Sequence, residues 1–449
     1  MNRTESPGSR WHLFAEACFI ALLVVLSRVD WILSSLYHSA HAPTAVAGAV
    51  SLLFVGLAGA LYLAALLVPR AWSGQVLRAS VVMVAIYVLQ AALRELPFMP
   101  LTLTVTHKVV AIVLSAAVAA LMALRMGDAL WLRTRWALIA ACVVYALSPL
   151  ILVQFTAPKV TVQVPPTLVN RPTVFLVLDE LNANAAQPLI QALKAAGAKV
   201  DASVVAAVGA NTITVLPEML GAGHLPTAKV CSPSAVCDAR GQFDFRQLTF
   251  APSQHFHVVG FFHPYCEAQG WSSCERFGVP SVGAVKSLLC TFTRVLPMAS
   301  SDSACEWMSP ARWLVFREQV TSAVLASSFW STGGVLFAHV PLPHPPGVDE
   351  GTSLEFDYEK NVAQAAIFVA QVWAKGQQSY GDGFQLVITS DHPLRPELWC
   401  RQAKYRDAGC QVPVNSQPKQ VPFVVASSRS NTYPIPSSNG EIFETHRER

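Results

Sequence analysis

The chain has 449 residues, of which 53% are hydrophobic and only 13% charged, with a formal net charge of +4. An ordinary soluble domain carries about a quarter charged residues, so this composition excludes a wholly soluble enzyme. The apolar excess sits in the first third, and many arginines lie in short loops between apolar segments, which argues for a membrane part before a soluble part and against nucleic-acid binding.

Five stretches, 13–37, 44–68, 76–93, 109–126 and 136–155, are long and apolar enough to cross a hydrocarbon core, which takes about 20 helical residues. The first is too long, and too soon followed by others, for a cleaved signal peptide, and reads as a retained anchor. Basic residues set the orientation. Arg3 and Arg10 precede the first span, Arg70 and Arg78 flank the second-to-third connection, and Arg125, Arg133 and Arg135 flank the fourth-to-fifth. The stretch 37–43 has no Lys or Arg, and the third-to-fourth connection has only Arg94 and Lys108 at its margins. The amino terminus is therefore expected in the cytoplasm and everything after Phe155 outside, in the periplasm of a Gram-negative cell. Arg28 and Asp30 lie inside the first span, where a central charge costs roughly 2.5–3.5 kcal/mol. They either face a polar cavity or snorkel to the interface.

Of the ten cysteines, Cys18 and Cys142 fall in these spans, and the other eight follow in local couples: Cys231 with Cys237, Cys266 with Cys274, Cys290 with Cys305, and Cys400 with Cys410. An even number in an exported domain reads as a disulfide framework, although spacing alone does not prove the pairing. No C-x-x-C occurs, and the single H-x-x-C, His263 with Cys266, has no second half nearby, which disfavours structural zinc.

The Pro- and Val-rich stretch 157–171 reads as a semi-rigid linker between a membrane domain, 1–156, and an outer domain, 172–426, which a polar tail, 427–449, follows. In the outer domain strands are expected at 174–178, 202–207, 257–262, 335–340, 384–389 and 421–426. Helices are expected at 185–196, from 215 to 220, at 310–328 and at 356–375. Strands alternating with helices imply an α/β domain with a mainly parallel sheet. The segment 227–308, rich in Cys, Ser and aromatic residues, reads partly as a stapled insertion.

The organising stretch is PTVFLVLDEL, 172–181, a buried-strand pattern that ends in Asp179 and Glu180. Two acids at such a tip cost several kcal/mol unless a cation satisfies them. The alternative is a surface loop that happens to begin with two acids. In open α/β sheets the site lies beyond the carboxyl ends of the strands. His339 and His344 lie at the end of a second strand (VLFAHVPLPHPP), and Asp391 with His392 follow a third (FQLVITSDHP). Acids and histidines at three strand ends favour a metal site. A lone His339 would more often be a structural hydrogen-bonding group.

The ordered motifs VFLVLDEL, NTITVLPEML, HVPLPHPP and VITSDH resemble the signature of the alkaline phosphatase superfamily, in its sulfatase-like branch. Five spans before an outer domain are similar to the membrane-anchored phosphoethanolamine transferases of lipid A and to the lipoteichoic acid synthases. The resemblance runs from about Thr173 to Ala426. It implies that Asp179, Glu180, Asp391 and His392 hold a divalent metal, with zinc or manganese suiting oxygen ligands beside imidazole better than magnesium or calcium. It implies a Thr nucleophile ahead of Pro217, with Thr212 preferred and Thr214 second, and puts His344 and His339 beside the substrate. A Thr hydroxyl needs activation, and a dication together with a helix N-terminus supplies it. The alternative is that Thr212 or Thr214 simply caps the helix that follows.

The implied activity is transfer of a substituted phosphoryl group, phosphoethanolamine or phosphoglycerol, from a phospholipid donor to an envelope glycan or lipid at the bacterial inner membrane. Sequence departures keep two other readings open. CSPSA at Cys231 resembles the motif whose Cys becomes formylglycine in sulfatases, but Ala235 stands where that motif has Arg, so an ester hydrolase is one alternative. The transferases carry a further His after the Asp-His pair, and here only His446 follows His392. Arg395 or another group takes that role, or the site is reduced and the chain is a membrane scaffold.

Overall fold

A computed structural model describes residues 8–26, 28–68, 75, 79–80, 159–163, 171–250, 255–293, 310–347, 349, 351–410, 419–429 and 433–448. The expected spans at 109–126 and 136–155, nearly all of the one at 76–93, and Cys142 and Cys305 lie outside them. The described chain forms two units.

The first unit holds α1 (Gly8–Leu26), the start of α2 (Val29–Tyr37) and α3 (Pro43–Leu67). Pro43 opens α3, where a missing N–H costs nothing, and the helix, 25 largely apolar residues in all, is long enough to cross a bilayer. Its small residues Ala49, Ala58 and Ala65 are buried while Leu52, Val55, Leu63 and Leu67 are exposed. The first expected span is a bent pair, with 47° between its halves, and Arg28 and Asp30 sit at the bend.

The second unit is an α/β domain. Strands β1 (Lys159–Gln163), β2 (Thr173–Asp179), β3 (Lys199–Ala206), β4 (Lys229–Ser232), β5 (Ala235–Asp238), β6 (Gly241–Asp244), β7 (Leu248–Phe250), β8 (Phe256–Phe261), β9 (Trp271–Phe277), β10 (Val335–Pro343), β11 (Gln385–Ser390), β12 (Gln420–Ser427) and β13 (Glu444–Glu448) build three sheets. The main sheet has the order β3-β12-β11-β2-β10-β8-β9. Its strands run parallel except β12, which is antiparallel to both neighbours, so the sheet is mixed rather than uniformly parallel.

Strand β2 is central and every residue of it is buried. Val174, Leu176 and Leu178 pack on one face with helices α4 (Gln187–Ala195), α7 (Pro310–Ala326) and α8 (Leu354–Tyr380), while Phe175 and Val177 pack on the other with α5 (Thr212–Met219). Here α6 (Ala284–Thr293) belongs to the first unit. Full burial of each aliphatic side chain is worth roughly 1.5–3 kcal/mol, which accounts for the unbroken apolar run. Strands β11, β2 and β10 lie side by side and parallel, so Asp391, Asp179 and His344 leave the sheet at one edge.

Two expectations from the chain order change. Within 157–171, β1 pairs with β13 and β7 instead of running free. The stretch after 427 is not a trailing tail: Tyr433, Ile442 and Phe443 are buried in the core. Cysteine pairs 231–237, 266–274 and 400–410 are bonded, in agreement with the local couples.

Candidate metal centre

Asp179 is the last residue of β2, and the chain then turns through Glu180 with φ of 64°. A non-glycine residue in that region costs roughly 1–2 kcal/mol and persists only where its surroundings hold it. They do so here. Glu180 N donates to Asp391 Oδ1 at 3.2 Å, Leu181 N to Ser390 Oγ at 2.8 Å, and Tyr358 Oη donates to Glu180 O at 2.9 Å. The turn separates the two carboxylates. Glu180 accepts Arg395 Nε at 2.9 Å on one oxygen and Trp399 Nε1 at 2.6 Å on the other. Its carboxylate is thereby occupied, and the structure does not bring it into the metal-ligating group that the sequence suggested.

That group is Asp179, Asp391 and His392, whose ligand atoms all lie within 4.8 Å of one another and are buried. His392 Nδ1 is 3.0 Å from Pro393 O, a carbonyl that can only accept, so Nδ1 carries the proton and Nε2 presents a lone pair to the group. Nε2 lies 3.3 Å from Asp391 Oδ2 and 3.8 Å from Asp179 Oδ1. Among the described residues Asp179 Oδ1 has no hydrogen-bond donor although it is buried. Burial, with the Asp391 and Glu180 carboxylates beside it, holds the Asp179 carboxyl well above its ordinary proton affinity. Burial acts the same way on Asp391, but His392, His339 and the Thr212 hydroxyl outweigh it and keep Asp391 below the usual range. Two buried oxygens and one imidazole lone pair around an unsatisfied acceptor are a donor set that a divalent cation fits.

Thr212 opens α5, and its Oγ1 donates to Asp391 Oδ2 at 2.8 Å and lies 3.2 Å from His392 Nε2. Thr214 faces elsewhere. Its N–H bonds to the capping Asn211 Oδ1 at 3.0 Å and its hydroxyl to Asn211 O at 2.9 Å. An added Cβ on Gly209 would meet Thr214 Oγ1 at 2.4 Å, so this turn requires glycine. The choice between the two threonines thus rests on the cap: Thr214 completes it and Thr212 is left to face the acids.

His344 Nε2 lies 3.8 Å from Asp179 Oδ2, with its ring between Trp313 and Trp399. Burial lowers its proton affinity, against the opposing effect of the Glu180 carboxylate. His339 is stacked on Phe261 at 4.3 Å, with Nδ1 within reach of Tyr265 Oη and Phe261 O. Burial pushes it down to about 4.

Several residues here carried no sequence signal. Asn439 donates to Ser390 O and Asp391 O, at 2.9 and 2.7 Å, and accepts Val208 N at 3.0 Å, tying the strand end to the turn before α5. Ser390 is legible only as the residue before the Asp-His pair. Cys231 is bonded to Cys237, which removes the sulfur that a formylglycine would need.

No family model matches the chain, and no curated protein does. Among solved structures the chain is similar to several at low sequence identity. The C-terminal periplasmic domain of EcEptC from Escherichia coli is 11% identical with a TM-score of 0.34, over 61% of this chain and 80% of that one. The integral membrane lipooligosaccharide phosphoethanolamine transferase A from Neisseria meningitidis is 13% identical with a TM-score of 0.32, over 92% of this chain and 88% of that one. An alkaline phosphatase superfamily protein from Vibrio parahaemolyticus is 11% identical with a TM-score of 0.29, over 60% and 64%.

Proposed function

We propose that the chain is a membrane-anchored, metal-dependent phosphotransferase of the bacterial inner membrane, with its amino terminus in the cytoplasm and its α/β domain in the periplasm. The observation that carries this reading is the convergence of a buried Thr hydroxyl, two carboxylates and an imidazole lone pair, with Asp179 Oδ1 lacking a donor among the described residues. The three bonded cysteine pairs agree with an oxidising compartment. Asp179, Asp391 and His392 would hold the cation, and an oxygen-and-imidazole donor set favours zinc, with manganese, magnesium or calcium as alternatives. A bound dication supplies charge neutralisation and lowers the proton affinity of a neighbouring hydroxyl.

The remaining roles belong to the chain's own groups. Thr212 Oγ1 attacks phosphorus, its proton leaving along the 2.8 Å hydrogen bond to Asp391 Oδ2. The Oγ1–P bond forms as the bond to the donor's alcohol breaks, and that alcohol takes up the proton that Asp391 received. An acceptor hydroxyl then displaces Thr212, which regains its proton. His344 turns Nε2 to the site with Nδ1 against the Pro345 carbonyl, so it donates to a phosphate oxygen as the imidazolium, while buried His339 packs against Phe261. The donor in this reading is a phospholipid and the acceptor an envelope glycan or lipid.

The test is mass spectrometry of the zinc-loaded full chain after incubation with phosphatidylethanolamine vesicles. A phosphoethanolamine adduct on Thr212, absent from Thr212→Ala, is expected. An adduct on another residue, or none with zinc bound at one ion per chain, would overturn the assignment.

A further inference from the structure

The mechanism above leaves unused a fully buried histidine, His263, just beyond β8. Both of its ring nitrogens are engaged. Nε2 lies 3.0 Å from Thr212 O, and Nδ1 lies 2.6 Å from Tyr37 Oη. A carbonyl oxygen only accepts, so Nε2 carries the proton; Nδ1 is then bare and Tyr37 must donate. The direction of every hydrogen bond in the series Tyr37, His263, Thr212 therefore follows from one carbonyl. Phe245 stacks on the imidazole at 5.5 Å and holds its plane.

Tyr37 is the last residue of α2, and the segment Ser34–Ala40 belongs to the α/β unit. Arg276 Nη2 donates to Tyr37 O, Val279 N donates to His38 O at 3.2 Å, and Ser281 Oγ donates to Ala40 O at 3.0 Å. His38 Nδ1 donates to Phe262 O at 3.0 Å. The fit is close enough that an added Cβ on Gly278 would come within 2.1 Å of Ser39 O. These contacts fix where the Tyr37 hydroxyl stands.

We propose that Tyr37 and His263 are positioning residues for the nucleophile, clamping Thr212 by its carbonyl while Asp391 and His392 engage its hydroxyl. A β-branched Thr has a stiff χ1, so fixing its backbone fixes the direction of Oγ1. The end of the chain's first apolar segment thereby becomes part of the catalytic scaffold, and this coupling rests on Thr212 being the nucleophile. Removal of the Tyr37 hydroxyl leaves Nδ1 without its donor. The Thr212 carbonyl still keeps the proton on Nε2, but the ring is then anchored at one nitrogen instead of two.

The test uses the full chain in detergent with zinc, bis(4-nitrophenyl) phosphate as a chromogenic phosphodiester probe, and ¹⁵N-histidine NMR. Tyr37→Phe is expected to lower kcat by at least about fivefold, the worth of one buried hydrogen bond, with KM little changed. His263→Ala should lower kcat further, and His263→Gln, whose amide N–H can still reach the Thr212 carbonyl, should recover part of it. The His263 resonances should report the Nε2-protonated form in the native chain, and the bare Nδ1 resonance should shift in Tyr37→Phe, where it loses its donor. Native kcat in both Tyr37→Phe and His263→Ala, while Thr212→Ala is inactive, would overturn the clamp. So would an unchanged His263 Nδ1 resonance in Tyr37→Phe, whatever the turnover. Full turnover by Thr212→Ala would instead overturn the assignment of the nucleophile.

Discussion

Replacing Asp179 by Asn should make the metal-free chain more stable and abolish its response to zinc. Asp179 is 2% exposed, its Oδ1 has no donor among the described residues, and Asp391 and Glu180 are close neighbours. Because burial and these carboxylates raise its folded-state proton affinity, any stability it contributes is present at acid pH and is lost as pH rises above the unfolded value of 3.8. At neutral pH the metal-free protein bears the cost of a buried unsatisfied acceptor, about 1–3 kcal/mol. Asn removes the charge and brings an N–H₂ that can donate to Asp391. At about 2–4 °C per kcal/mol for a domain of this size, the midpoint should rise by about 2–12 °C. Zinc at 100 times its Kd should add about 2.7 kcal/mol to the native chain and nothing to Asp179→Asn. Tryptophan fluorescence during heating, on the full chain in detergent after chelation and again after zinc is returned, measures both effects. A chelated Asp179→Asn that melts below the chelated native chain, or that keeps the native zinc shift, refutes the reasoning.

Three further outcomes follow from the same geometry. Glu180→Gln should leave bound zinc at the native stoichiometry by elemental analysis while lowering stability by about 3–5 kcal/mol, since it strands Arg395; Asp391→Ala should lose the metal. Asp357 is buried, yet Lys404, Thr352 and Tyr405 hydrogen-bond its carboxylate and hold it below its ordinary value against the effect of burial. Its stabilisation is full above pH 3.8 and lost as pH falls through the lower folded value, so acid denaturation followed by circular dichroism should begin at higher pH in Asp357→Asn. The double variant Cys231→Ala with Cys237→Ala should keep the turnover of the phosphodiester probe, whereas a formylglycine mechanism requires its complete loss.

Much of the scaffold was legible because its signals are local. An apolar run flanked by Gly, Pro and acids marks a buried strand, so β2, β10 and β11 were placed within a few residues. The cysteine couples were legible because short loops join them. Less legible were β1 and the segment around Asn439, since pairing between Lys159 and Glu448 spans almost 290 positions and leaves no periodic trace. Polar composition made 427–449 read as a tail, although Ile442 and Phe443 carry it into the core.

The carboxylate pair divides the two kinds of information most sharply. From the sequence alone came an acid-tipped buried strand and an Asp-His pair on another strand end, because each is a short pattern of residue types, while the Thr ahead of Pro217 came from the resemblance. Only the tertiary structure decided which acid faces the group. The left-handed backbone at Glu180 sends its carboxylate to Arg395 and Trp399, leaving Asp179 to meet Asp391 and His392. Likewise, only the fold joined Tyr37 through His263 to Thr212. Hydrogen-bond direction and partner depend on where distant segments meet, and a linear pattern of residues does not carry that information.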